Sequence, residues 1–304
     1  MSSKDPRFPK DWGDLQIAVV GGDEREREIA RLAAETGATV TAFGFPWPNS
    51  DIKSVRQAKD AADALRGAHV ALFPIPGMTL DGSIFATEKI VPDQGLLENM
   101  AAGAHIILGI ADAGLQQAAA NLGIGIHEYE HDQALMLLRA PAIVEGVIKI
   151  IVDNTDVTIH KSDICVVGQG NIGKVLTRSL IALGGRVTVA ARNPVQRANA
   201  YTMGAESIGI DVLSASAKAF DIIVSTVPVP IISTDIIDGL SANTLLVDIS
   251  APPGSIDLDH ARSRGIRAVW ARAMGRRAPI TVGASQWSGI SVTISGLMRG
   301  GARQ

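Results

Sequence analysis

Cysteine is almost missing from the 304 residues: Cys165 stands alone, so neither a disulfide framework nor a multi-cysteine metal site is available. Aromatic residues make up only 4% of the chain. No charge sign dominates: 28 lysines and arginines face 31 aspartates and glutamates, for a net charge of −3. Such a balance leaves no basic footprint for nucleic acid or an anionic membrane. No apolar run reaches the about 18 residues a membrane helix needs. The opening MSSKDPRFPKDWGD is polar and lacks the apolar centre of a signal peptide. The expectation is a soluble, cytoplasmic protein with neither nucleic acid nor membrane as partner. What is present is 46% hydrophobic residues and 31 glycines, the profile of a globular chain rich in tight turns. The length exceeds what one core usually supports and predicts two domains.

The chain reads as two successive arrays of short apolar runs alternating with helical patterns, the signature of parallel sheets with crossover helices. In the first, strands are predicted at Leu15–Val20, Thr39–Phe43, Ala68–Phe73, Ala104–Leu108 and Gly123–Ile126, with a helix over Glu24–Glu35. Two helices follow without a strand between them, Asp132–Leu138 and Ala142–Asn154, and the second bridges to the second array. There strands are predicted at Asp163–Val167, Arg186–Ala190, Ala205–Ile208, Asp221–Val224, Leu245–Asp248 and Arg267–Trp270. Helices are expected at Asn171–Ala182 and Pro194–Met203, and a last one over Ser285–Met298. No short-period repeat is visible.

The strongest motif is Gly168-Gln169-Gly170-Asn171-Ile172-Gly173, directly after a predicted strand and opening a predicted helix. That context is what a dinucleotide fingerprint requires. The first glycine makes the tight turn, the second lets backbone approach a pyrophosphate, and the third lets helix and strand pack closely. The helix N-terminus, with Asn171 and Ile172, presents N–H groups and partial positive charge to the anion. The next strand ends in Ala190-Ala191-Arg192-Asn193, without the carboxylate that holds the ribose 2′-hydroxyl of NAD. Arg192 offers a guanidinium fork suited to a 2′-phosphate, so the expected cofactor is NADP rather than NAD. Thr226, Val227 and Pro228, and Ser250 further on, follow later strands and are expected to flank the nicotinamide; the plain alternative is ordinary turns.

The first array opens on Gly21-Gly22-Asp23-Glu24-Arg25, a glycine turn without the third glycine of a dinucleotide site. Asp23 reads as an N-cap. Arg25 is either a solvated first-turn charge or a partner for a substrate carboxylate. Glu145, beside Gly146 on the bridging helix, points either to solvent or into an interdomain cleft; no acid–base pair is evident, and Glu145 is the one catalytic candidate. His127-Glu128-Tyr129-Glu130-His131 has the letters of a zinc-protease motif. That chemistry needs both histidines on one continuous helix, whereas His127 follows a predicted strand, so no metal site is expected. Neither a Gly-x-Ser-x-Gly elbow nor a Walker loop occurs.

Taken in order, Val19-Val20-Gly21-Gly22-Asp23-Glu24-Arg25, Val144-Glu145-Gly146, the Thr158-Ile159-His160 lead-in and the Gly168–Gly173 fingerprint resemble the dipicolinate synthase A-subunit family, from about residue 15 to the last helix. The resemblance implies an NADP-linked oxidoreductase in the lysine-pathway branch, oxidising a dihydrodipicolinate-type cyclic dicarboxylate to the pyridine-2,6-dicarboxylate that spore formers accumulate. It also implies a flavoprotein-like second subunit, while a homo-oligomer is compatible with the sequence. Gly21, Gly22, Asp23 and Arg25 become the substrate-binding candidates. Two places depart from the family pattern: Ile143 and Val144 stand where a Pro-Thr pair is usual, and Ile280 replaces the lysine of Pro-Lys-Thr.

The expected fold is α/β with two doubly wound parallel sheets: a flavodoxin-like substrate domain over 1–150, a Rossmann NADP-binding domain over 151–284, and a C-terminal helix over 285–304 packing back on the first. Two rival functions stand beside the family reading. A 2-hydroxyacid or amino-acid dehydrogenase would bring a late catalytic histidine, which Val269–Gly275 lacks. A non-catalytic NADPH-binding subunit of a heteromeric enzyme would need no acid–base pair.

Overall fold

The computed structural model describes residues 11–75, 77–129 and 132–300. The chain divides into two compact units, one formed by Met1–Arg139 with Ala278–Gln304 and the other by Ala140–Arg277.

In the first unit the order is β1 (Gln16–Val20), α1 (Glu24–Glu35), β2 (Thr39–Phe43), β3 (Val55–Gln57), α2 (Ala61–Leu65), β4 (Val70–Leu72), α3 (Gln94–Leu97), β5 (His105–Leu108), α4 (Ala113–Leu122) and β6 (Gly125–Glu128). Helix α5 (Gln133–Asn154) then runs across the division. The second unit continues with β7 (Asp163–Val167), α6 (Asn171–Ala182), β8 (Arg186–Ala190), α7 (Pro194–Thr202), β9 (Glu206–Ile208), α8 (Leu213–Ser216), β10 (Ile222–Ser225), α9 (Thr234–Asp238), β11 (Leu245–Asp248), α10 (Leu258–Ser263) and β12 (Arg267–Trp270). The last helix, α11 (Pro279–Met298), belongs to the first unit and packs on α1. There Gly283 leaves no room for a Cβ, which would stand 2.6 Å from the Arg25 carbonyl oxygen.

Both sheets are parallel throughout and six-stranded, ordered β3-β2-β1-β4-β5-β6 and β12-β11-β10-β7-β8-β9. Read from the first strand of each, the two orders are the same, and the chain reverses direction across the sheet beside β1 and beside β7. Ligand crevices form at that switch point, at the carboxyl ends of the strands. The inner strands, such as β1, β4, β7, β10 and β11, are nearly continuous buried apolar runs, as expected of a parallel sheet covered on both faces. In β7, Ile164 and Val166 enter one core with Val144, Val147 and Ile151 of α5, while Cys165 and Val167 enter the other. Burial pushes the Cys165 thiol up to about 12, so this cysteine is a packing residue and no nucleophile. Among the described residues no helix is long and apolar enough to cross a membrane.

Three expectations need correction. The flavodoxin-like order holds only if β3 is left out; this three-residue edge strand, with one half-buried and two exposed residues, completes the 3-2-1-4-5-6 order. The sequence predicts two helices, one on either side of Pro141, yet α5 is continuous through it. A proline removes one helical hydrogen bond, and here buried Leu135 and Ala140 on one side and Ala142, Val144 and Val147 on the other hold the helix together. The last helix begins at Pro279, not Ser285, because proline is accepted at the first helical position, where its missing N–H has no helical partner. Residues 301–304 of the expected 285–304 segment lie outside the described residues, as do residues 1–10 of the lead-in.

Candidate functional site

At the carboxyl end of β7 the backbone makes the turn that the glycines predict. Gly168 has φ +95°, and a Cβ there would stand 2.6 Å from Thr226 Oγ1 and from Val227 Cγ1. A Cβ on Gly173 would meet the Gly168 carbonyl oxygen at 2.2 Å, so only glycine lets α6 sit this close to β7. Thr226 donates twice to the Val167 carbonyl oxygen, from N at 2.9 Å and from Oγ1 at 3.0 Å, which fastens β10 to the same turn. Gly170 is the N-cap of α6 in extended conformation; no side chain caps the helix, and its first turn carries no acid. Among the described residues other than its chain neighbours, nothing lies within 4 Å of where a Gly170 Cβ would be. Gln169 faces inward: its Oε1 accepts from Thr177 Oγ1 at 3.1 Å and its amide contacts Met203 Sδ. The result is a helix start without a side-chain cap on Gly170 and positively polarised.

Beyond β8, Arg192 is exposed and its guanidinium has no ion pair or hydrogen bond among the described residues. Asn193 caps α7, its Oδ1 accepting from Val195 N at 2.8 Å. Arg197, which no sequence motif marks, donates from Nη1 to the carbonyls of Ala191 and Arg192 at 2.8 and 2.7 Å. It braces the loop that carries Arg192. An arginine five positions after Arg192, in the following helix, is the one signal that pointed to it.

The ends of β10 and β11 form one network around Asp248, which is 1% exposed. Its carboxylate accepts from Ser250 N and Oγ at 2.9 and 2.6 Å, and from the N–H groups of Ser255 and Ile256 at 2.6 and 3.1 Å. Ser225 Oγ reaches Ser255 Oγ at 2.7 Å. The hydroxyl of Ser250 is therefore turned into the loop, and Asp248 is the group that shapes it. A lone carboxylate closing the apolar run Leu245-Leu246-Val247 was the available signal. Glu145 is exposed and ion-paired with Arg277 of the same unit. Gly146 gives close approach to Met274, whose Sδ would be 3.0 Å from a Cβ.

In the first unit, the turn after β1 has closed its own donors. Gly21 N donates to the Phe43 carbonyl at 2.8 Å and Gly22 N to that of Phe85 at 2.6 Å. Asp23 caps α1, and Glu26 Oε2 accepts from Asp23 N at 2.7 Å, completing a capping box. Asp23 also holds Arg25 by two bonds, from Nε at 2.7 Å and from Nη2 at 2.8 Å. Arg25, 8% exposed, is thus no solvated first-turn charge. Glu26 is buried with Oε1 unpartnered. Burial pushes its carboxyl up to about 7, against the lowering pull of Arg25 and the Asp23 N–H.

His127 lies on β6, not on a helix; its Nε2 is 3.1 Å from His105 Nδ1, and Glu128 Oε1 accepts from Ala111 N at 2.7 Å. Glu130 and His131 of that motif lie outside the described residues.

Residues 16–130 match the family model of the N-terminal domain of the dipicolinate synthase A subunit. Residues 141–278 match that of the S-adenosyl-L-homocysteine hydrolase NAD binding domain. The dipicolinate synthase A subunit of Bacillus subtilis (strain 168) is 30% identical over 274 residues, spanning 88% of this chain and 92% of its own. The crystal structure of dipicolinate synthase, A chain, from Bacillus subtilis superimposes with a TM-score of 0.82 at 27% identity, over 94% of this chain and 97% of that one. The corresponding dipicolinate synthase structure from Bacillus halodurans gives 0.83 at 23% identity, over 94% and 98%, a likeness of fold. With a nucleotide-binding domain of NAD type in its second unit, the chain belongs to the dipicolinate synthase A-subunit family.

Proposed function

We propose that the chain is an NADP-dependent dehydrogenase that oxidises a dihydrodipicolinate-type cyclic dicarboxylate to pyridine-2,6-dicarboxylate. The observation that carries this reading is the start of α6 behind Gly168, Gly170 and Gly173, with no side-chain cap and no acid in its first turn, in a chain of this family. The residues fit a dinucleotide: the Gly168 and Gly173 positions admit no side chain, and the space over Gly170 is open. The N–H groups at Asn171, Ile172 and Gly173 receive the pyrophosphate. Arg192 takes the 2′-phosphate, with Arg197 holding its loop and the Asn193 amide beside it. Thr226, Val227, Pro228 and the Ser250 loop border the nicotinamide end.

An oxidised nicotinamide supplies a hydride acceptor; the substrate ring gives up one hydride and one proton, and no other atom is exchanged. The product is aromatic, so the driving force resides in the ring, and the proton leaves to water without a tuned base. That accounts for a site in which the described residues place no buried acid–base pair beside the glycine turn, and it gives Glu145, ion-paired and exposed, no part in proton transfer. The reading includes the cytoplasm as location and, as partner, a flavoprotein-like second subunit.

The test generates the cyclic dicarboxylate in situ and adds NADP⁺ and the full chain. The expected result is pyridine-2,6-dicarboxylate and NADPH in equal amounts. Product only once the flavoprotein-like partner is present would make the chain an obligate component of the same reaction. No product in either case, with NADPH binding intact, overturns the substrate assignment.

A further inference from the structure

If the 2′-phosphate lies at β8 and the pyrophosphate at α6, the dinucleotide extends along the sheet through β10 to β11, and the strand beyond its nicotinamide end is β12. The N–H groups of Gly21 and Gly22 are taken by the carbonyls of Phe43 and Phe85, and Arg25 is held by Asp23. A substrate with two ring carboxylates therefore needs a cation elsewhere, and β12 delivers one. Arg272 follows β12 by two residues, is exposed, and has its guanidinium carbon 5.1 Å from the centroid of the Trp270 ring. Its side chain makes no hydrogen bond or ion pair among the described residues. The neighbouring cation Arg277 is neutralised by Glu145.

The Trp270 plate is itself fixed. Its Nε1 donates to the Ser250 carbonyl oxygen at 3.1 Å, and its six-membered ring lies against Gly254, where a Cβ would come within 3.5 Å. The backbone beneath Arg272 is held by Ala271 N donating to the Asp248 carbonyl at 2.6 Å. Ala273 then turns the chain with φ +56°, a conformation rarely taken by a residue with a Cβ. A guanidinium held over an aromatic ring keeps its N–H groups for a ligand, and its fork matches a carboxylate by two parallel hydrogen bonds.

We propose that Arg272, held on Trp270, binds one carboxylate of the ring dicarboxylate and so selects di- over monocarboxylates. The proposal rests on the function proposed above, and its test separates the two. The full chain saturated with NADP⁺ is titrated calorimetrically with pyridine-2,6-dicarboxylate and with pyridine-2-carboxylate, as wild type, R272A and R272K. The dicarboxylate is expected to weaken about thirtyfold in R272A, with R272K between the two, since a lysine keeps the charge but loses the fork. The preference for dicarboxylate over monocarboxylate should collapse in R272A, while NADPH affinity stays within about twofold, which also certifies the fold. Unchanged dicarboxylate affinity in R272A overturns the role of Arg272 and leaves the proposed function standing. A wild-type chain that binds NADPH but neither pyridine carboxylate overturns both.

Discussion

The chain makes the same strand–glycine turn–helix twice, at the switch point of two sheets of the same order, and the two turns differ in what sits at the helix start. After β1, Asp23 and Glu26 cap α1, and Arg25 is folded back on Asp23. After β7, α6 starts on Gly170 with no cap and no acid in its first turn. A capped helix start has its N–H groups satisfied and carboxylates beside them; a bare one offers N–H groups and partial charge to an anion. The topology is shared, so the difference in chemistry lies in a few side chains.

The largest expected effect comes from making the second turn like the first. Gly170→Asp fits the extended backbone and the open space there, and supplies the cap that α6 lacks. NADPH affinity should fall about a hundredfold while the melting temperature holds or rises, since a cap stabilises by about 1 kcal/mol and its carboxylate repels the pyrophosphate. Equilibrium titration and thermal melts check both; unchanged affinity would mean that α6 does not hold the phosphates.

A smaller and more selective effect is expected at β8. Arg192→Ala should weaken NADPH about thirtyfold and NADH no more than about twofold, because only one of them carries the 2′-phosphate. Equal losses, measured by parallel titrations with the two cofactors, would remove the 2′-phosphate from Arg192.

The smallest effect concerns the cost hidden in the first turn. The Glu26 carboxyl is pushed by burial from 4.5 up to about 7 in the folded chain, so the native state holds a proton that the unfolded chain releases. Its contribution to stability is full below pH 4.5, declines as pH rises, and is gone above about pH 7. Glu26→Gln keeps an acceptor for the Asp23 N–H and removes the titration. The difference in melting temperature between variant and wild type should be near zero at pH 4.5 and grow by a few degrees towards pH 8. A difference independent of pH would show that Glu26 does not titrate in this window.

Much of this comparison was legible in the residues. Strands buried on both faces, such as Asp163–Val167 and Leu245–Asp248, are read from their apolar runs, and the third glycine separates the two turns at sight. Asp23 reads as a cap from its residue type alone, and Glu26, three residues on, supplies the other half of a capping-box spacing. Less was legible where the partner is distant in sequence. β3 has two exposed residues out of three and exists because Val40, Thr41 and Ala42 offer it a ladder. The Phe85 carbonyl that engages Gly22 N, the Ser255 N–H on Asp248, and Arg277 against Glu145 are pairings between residues separated along the chain.

By itself the sequence determined the alternation of elements, the family, and which of two glycine turns carries the dinucleotide fingerprint. These depend on local properties: apolar period, the missing Cβ of glycine, and the presence or absence of a carboxylate within one helical turn. Tertiary structure alone decided which donors remained available. It closed the N–H groups of Gly21 and Gly22 on the carbonyls of Phe43 and Phe85, brought the Ser255 N–H onto Asp248, and left the guanidinium groups of Arg192 and Arg272 without a hydrogen bond or ion pair among the described residues. A donor is free or engaged according to what stands within about 3 Å of it, and that distance is set by the packing of strands and loops that composition and spacing do not encode.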